Sequence, residues 1–274
     1  MDLFNDISEI KEFAPELDVS TPMQNLERGF TIARSKVIEV IGTDVYNKIT
    51  TEPGDMQRCL KSSLVNFMMN ENIVFSEAGK EKDKKMFKYE YEQVRGKYID
   101  YGYSYLDELI ALLENSDMEE WENSEQKKSL EKLLITAAEM RELSGLDSMY
   151  FFFRIRNIIR DVADDEIFPR YQMVRINDFD ERTRRILKRA LVNLTLARVI
   201  KTFDFLELPR PLRSTLQSEF SGSTSMKDDL LCVSESYHDT GIDLLARLEI
   251  KRTGSNTITD NEPLSENDKF YFAN

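Results

Sequence analysis

Apolar residues along this chain recur at helical spacing. Phe30, Ala33, Val37 and Val40 step by three and four, and Phe152, Ile155, Ile159 and Val162 repeat that stripe 122 residues later. Such a stripe puts one face of an α-helix into a core. Leu60, Leu64 and Phe67 form another, inside the word Leu60-Lys61-Ser62-Ser63-Leu64-Val65-Asn66. The word returns 127 residues on as Leu187-Lys188-Arg189-Ala190-Leu191-Val192-Asn193, with five of seven positions identical. Arg34 matches Arg156, and Val45-Tyr46 matches Ile167-Phe168. A last block, Tyr101, Leu106, Asp107, Leu109 and Leu112, corresponds to Tyr237, Ile242, Asp243, Leu245 and Leu248 at an offset of 136. An offset that grows while order is kept is what loop insertions into a doubled unit produce. The pattern therefore predicts an all-α protein of two tandem-duplicated helical units.

Punctuation residues divide the pattern into elements. Ile7, Ile10, Phe13 and Leu17 predict a short leading helix, broken by Pro15, that acts as a lid. Thr21-Pro22-Met23-Gln24 reads as a capped helix start, and Gly42 as its end. A short helix over 44–49 and a loop at Glu52-Pro53-Gly54 follow. Asp55 then caps the helix that holds the first word, which runs to about Ile73. Asn72 to Gly79 is expected to be a connector, with Ile73-Val74-Phe75 as a short extended piece. The longest helix, about 81–115, carries Phe87, Tyr91, Val94, Tyr98, Tyr101, Tyr105 and Leu109 as a nearly straight seam. Its tyrosines fit a core edge or, as the alternative, a stacking platform for bases. Trp121 plugs a polar loop, and a helix from Ser129 to Leu143 ends at Gly145. Met149 to Phe153 is more apolar than one buried face needs, which points to contact with the other unit or another subunit. Asp178 and Asp180 precede a helix over 181–202. Prolines 209 and 211 disfavour a continuous helix over 205–225, and a final helix spans 233–249. The expected organisation is a lid (1–20), a first unit (21–120), a linker with a bridging helix (121–147), a second unit (148–251) and an extended polar tail (252–274).

Charge and composition narrow the function. Acidic side chains outnumber basic ones, 50 to 37, for a net charge of -13. That balance opposes tight wrapping on nucleic acid, whose affinity comes mostly from cations on phosphates. It is compatible with a passage through which DNA slides without sticking. Mean hydropathy is -0.47, and no apolar run approaches the roughly 18 residues of a membrane span, so no membrane partner is expected. The first residues lack a basic region followed by an apolar stretch, so cytoplasmic production is expected. Cys59 and Cys232 have no disulfide or zinc spacing.

The sequence carries no motif for catalysis. His238 is the only histidine and sits in Tyr237-His238-Asp239-Thr240-Gly241, a predicted helix start, where capping fits it better than chemistry. No phosphate loop and no nucleophile elbow occurs. Asp164-Asp165-Glu166 and Asp228-Asp229 could bind a divalent ion, or serve as caps and solvated charge. No catalytic residue, metal ligand or cofactor is expected. Two features stand out as contacts instead. Arg182, Arg185, Lys188 and Arg189 cluster on one helix of an acidic chain and read either as a solvated face or as a contact with an acidic surface of an identical subunit or another partner. Phe270, Tyr271 and Phe272 end the polar tail and are its obvious anchors on a neighbouring protein.

Ile38-Glu39-Val40-Ile41-Gly42-Thr43-Asp44-Val45-Tyr46-Asn47-Lys48-Ile49 resembles the helix, Ile-Gly, short helix with Tyr of tailed-phage head-tail connector proteins. Gly79, Tyr105-Leu106-Asp107-Glu108-Leu109 and Glu119-Glu120-Trp121 are similar to a doubled helical family from Bacteroides and their phages, including crAss-like phages. The similarity covers residues 20 to 200, with Asp164 standing where Gly42 stands in the first copy. The resemblance implies a non-enzymatic virion protein of the phage neck. Such a protein forms a ring, typically twelvefold, of identical subunits between the portal protein and other neck or tail proteins, with DNA as passing cargo. A helical adaptor or regulatory protein of a bacterial cell is the runner-up.

Overall fold

A computed structural model describes residues 3–17, 20–79, 86–171, 179–219 and 226–253. Every regular element among these described residues is helical. Internal packing divides the chain into two units, Met1–Lys132 with Ser148–Arg154, and Leu133–Asp147 with Ile155–Asn274.

The first unit opens with α1 (Ile7–Lys11), whose start is capped by the Asp6 carboxylate accepting from the Glu9 amide. In α2 (Met23–Ile41) the predicted stripe Phe30, Ala33, Val37 and Val40 is buried. The capping box expected at Thr21 does not form; Pro22 stands at the cap and no side chain closes the helix. Gly42 ends α2 in a left-handed conformation, φ +86°, which side chains with a Cβ avoid. There α3 (Thr43–Thr51) begins at once. In α4 (Asp55–Ala78) the nine residues Ser62 to Asn70 are buried on every side. α2 packs along α4, as does α5 (Lys88–Glu114). α4 continues through Ile73-Val74-Phe75, correcting the extended connector. The Arg28 guanidinium lies 4.0 Å over the Phe75 ring, so tertiary packing overrides weak local propensity there.

The predicted seam of α5 is also corrected. Leu109 of the seam is buried and Tyr91, Val94 and Tyr98 are half-buried, but Phe87, Tyr101 and Tyr105 are exposed, whereas Ile99, Tyr103, Leu106, Ile110 and Leu113 are buried. Two apolar stripes share this helix, and the one with Ile99, Tyr103 and Leu106 wins the core while Tyr101 and Tyr105 stay at the surface. Gly102 decides the matter, because a Cβ there would stand 2.6 Å from the Phe67 ring. Trp121 is fully buried as predicted, on the short α6 (Glu119–Glu122). The helix expected over Ser129–Leu143 is two, α7 (Glu125–Glu131) and α8 (Ala137–Ser144). Thr136 and Glu139 close a complete capping box that starts α8 afresh. α9 (Met149–Val162) contributes residues 149–154 to the first unit. There Tyr150 lies 4.4 Å from Tyr103, ring to ring, and Phe153 lies 5.7 Å from Trp121. Asp107 accepts from the Tyr150 amide at 2.6 Å and so caps α9.

In the second unit α9 passes without a break into a π-helical turn, Ala163–Ile167. Asp164 stands 122 residues after Gly42, where the repeat read from the sequence expects a helix end; aspartate reaches a left-handed break less cheaply than glycine, and the helix widens rather than stopping. α10 (Glu181–Thr202) is capped by Asp180, whose carboxylate accepts from the Thr183 amide at 2.9 Å. Within 205–225 a 3-10 turn (Phe205–Glu207) and a separate helix, α11 (Arg210–Glu219), stand apart, so the described residues there form no single continuous helix. Pro211 sits in the first turn of α11, where a missing N–H costs little, and Leu212 and Leu216 are buried. α12 (Met226–Thr253) runs along α10 and takes in His238 and Gly241, so the predicted helix start at His238 is instead mid-helix. Residues 254–274 of the tail, with Phe270, Tyr271 and Phe272, lie outside the described residues.

The units share local geometry, pinned at four places. Asn66 donates from Nδ2 to the Ser62 carbonyl at 2.8 Å, and Asn193 does the same to Arg189 at 2.7 Å. Lys61 pairs with Glu9 of α1, and Lys188 with Glu139 of α8. Gly102 presses on Phe67, and a Cβ on Gly241 would likewise stand 2.6 Å from Leu194 Cγ. Arg95 Nε donates to Asn70 Oδ1 at 3.0 Å, and Ser234 Oγ donates to the Ala197 carbonyl at 2.8 Å. The last two pairs match α5 to α12 at an offset of 139, one helical turn beyond the 136 read from the sequence. At 139, Tyr98, Asp100, Gly102, Leu106 and Leu109 meet identical residues, Tyr237, Asp239, Gly241, Leu245 and Leu248. At 136, exposed Tyr101 would be matched to buried Tyr237.

Candidate interaction site

The first unit holds a cleft of about 810 Å³ between α1, the first turns of α4 and the last turns of α5. Its floor is the pair Glu9 and Lys61. Asp6 caps α1, which sets Glu9 in the first turn, where its carboxylate accepts the Asn5 amide at 2.8 Å and the Lys61 ammonium. The Lys61 hydrogen bond, helped by Asn5, holds the Glu9 carboxyl below its ordinary 4.5 against the opposing pull of burial. Glu12, Asp55, Arg58, Tyr105 and Glu108 form the walls. Cys59 also lines it, and its thiol is pushed up to about 11 by burial first and then by the Glu108 and Asp55 carboxylates. A thiol so raised stays protonated at neutral pH and is a poor nucleophile.

The structure splits the predicted basic cluster of α10. Lys188 turns inward to Glu139, and Arg185 reaches Glu142 at 3.2 Å on the exposed surface. Arg182 is exposed in the first turn and Arg189 is half-buried. Burial is the largest influence on Glu139 and pushes its carboxyl up, but the Lys188 hydrogen bond and the Thr136 amide outweigh it and leave it lowered. Glu9 and Glu139 were not singled out in the sequence. The signal was there as Asp6-x-x-Glu9 and Thr136-x-x-Glu139, each the spacing of a helix cap with an acid at its third residue.

These two pairs fix a pH dependence. A carboxylate whose folded pKa lies below its unfolded one adds stability above the unfolded value and loses it as pH falls through the folded one. Stability is therefore expected to be level above pH 4.5 on this account and to drop below it. Glu9→Gln combined with Glu139→Gln should flatten that drop, checked by urea denaturation between pH 3 and pH 7. An unchanged acid slope would remove the pairs from the account.

The other acidic groups have structural occupations. Asp165 accepts two hydrogen bonds from Arg198, both at 2.9 Å, and Asp228 and Asp229 stand in the first turn of α12. His238 is exposed, 3.4 Å from Asp239. Among the described residues no group of three or more His, Cys, Asp or Glu is placed to hold a metal ion, and no helix is long and apolar enough to cross a membrane. No protein-family model, no curated protein and no solved structure matches this chain.

Proposed function

We propose that this chain carries two copies of one helical unit and serves as a structural ring subunit in the neck of a tailed phage, between portal and tail. The carrying observation is the shape of residues 38–49. α2 stops at Ile41, Gly42 turns the chain, and α3 follows with Tyr46 buried under the Arg34 guanidinium, 5.1 Å from the ring centroid. That is the local architecture on which the connector resemblance rests. The four shared pins support the doubling. The acidic balance of the chain suits a channel that passes DNA without holding it.

The test is the mass of the native assembly. Purified full-length chain at low ionic strength is expected to form closed rings of one stoichiometry, twelvefold by the resemblance, and to bind portal protein of the same virion. A chain that stays monomeric by native mass spectrometry and leaves portal particles bare in electron micrographs would overturn the proposal.

A further inference from the structure

The pins that align the two units also align the cleft of the first with a surface of the second. Part of that surface is the same: Glu9 with Lys61 answers to Glu139 with Lys188, and Glu12 and Arg58, which both line the cleft, answer to the pair Glu142 and Arg185. The rest is reversed in sign. Asp55 has Arg182 as its counterpart at the offset of α4 and α10, and Glu108 has Arg247 at the offset of α5 and α12. Ser62 is replaced by Arg189. The cleft thus carries four carboxylates against two cations, net -2, while the matching surface, with Glu181 opposite Gly54 and Arg184 opposite Gln57 included, carries three against six among the described side chains, net +3. Asp55, Glu108, Arg182 and Arg247 are all exposed, so the reversal faces outward.

We propose that the acidic cleft of one copy receives the basic surface of the second unit of the next copy. Each surface repels its own kind, so cleft against cleft and basic surface against basic surface are disfavoured, and the contact left is cleft to basic surface, which a head-to-tail series makes once per copy. Complementary charge sets its register and speeds encounter. Tyr105 lines the cleft, and Tyr101 stands exposed one turn away on α5, supplying the aromatic contact area that interfaces favour. Whether such contacts close into a ring or run on as a filament rests on the ring reading above; the pairing itself does not.

The experiment exchanges the reversed residues between units in the full-length chain. One variant carries Asp55→Arg with Glu108→Arg, the other Arg182→Asp with Arg247→Glu. Each alone is expected to weaken self-association about tenfold or more, read by sedimentation, while melting at the wild-type temperature. Mixed in equal amounts they should assemble again, because each copy then offers the surface the other lacks, and rising salt should weaken the mixture and the wild type alike. Should a reversed chain melt early, Asp55→Asn with Glu108→Gln keeps the shapes and is expected to weaken association by a smaller factor. Single variants or neutralised chains that assemble like wild type would overturn the contact and leave the ring standing. So would a mixture that stays apart, including the case where all four substitutions on one chain restore assembly and mixing does not. A wild-type chain that is monomeric at low salt would overturn ring and contact together.

Discussion

Trp121→Ala is expected to cost about 3–5 kcal/mol of stability, the range for deleting a large aromatic from a core. Trp121 has no exposed surface and lies against Phe153, ring centroids 5.7 Å apart, with the Lys127 ammonium 5.9 Å above its own ring. It fastens the short α6 to the start of α9 within the first unit, so its loss leaves a cavity that neighbouring turns of helix cannot refill. The indole Nε1 is buried and has no acceptor among the described residues. Trp121→Phe removes that orphan donor along with part of the ring and should therefore cost clearly less than alanine. Urea denaturation followed by circular dichroism reads both. A wild-type midpoint for Trp121→Ala would mean that the loop is not anchored there.

Leu64→Ala and Leu191→Ala come next, each expected to destabilise by about 2–5 kcal/mol. Both leucines are fully buried, in stretches of α4 and α10 that are enclosed on all sides. Shared local packing predicts costs of similar size at the two positions, and the double variant should lose close to the sum, since each leucine lies in its own unit. Denaturation midpoints of the three variants decide the matter. A large loss at one position and none at the other would count against equivalent roles for the two words.

The candidate site was half legible. Arg182, Arg185, Lys188 and Arg189 announce themselves by spacing on one helix, yet spacing cannot say which cation turns inward. Lys188 does so because Glu139 waits one helix away, and that partner belongs to a helix whose start was not recognised. The acidic cleft was invisible for a related reason. Its walls come from α1, α4 and α5, separated by long stretches of chain, and no local pattern joins Glu12, Asp55 and Glu108.

Helical class, the stripes of α2 and α9, the span of α10, the stop at Gly42 and the burial of Trp121 were determined by the sequence alone. Each depends on signals within a turn or two of the chain: periodicity, a capping aspartate, a glycine where φ turns positive. Only the tertiary structure decided which of two stripes on α5 enters the core, that α4 continues past Ile73, and that the bridging helix breaks at Thr136. In each case the sequence offers two arrangements of nearly equal local merit. The choice falls to contacts with another helix, here Phe67 against Gly102 and Leu194 against Gly241, where the absence of a Cβ lets the helices close and thereby fixes their register.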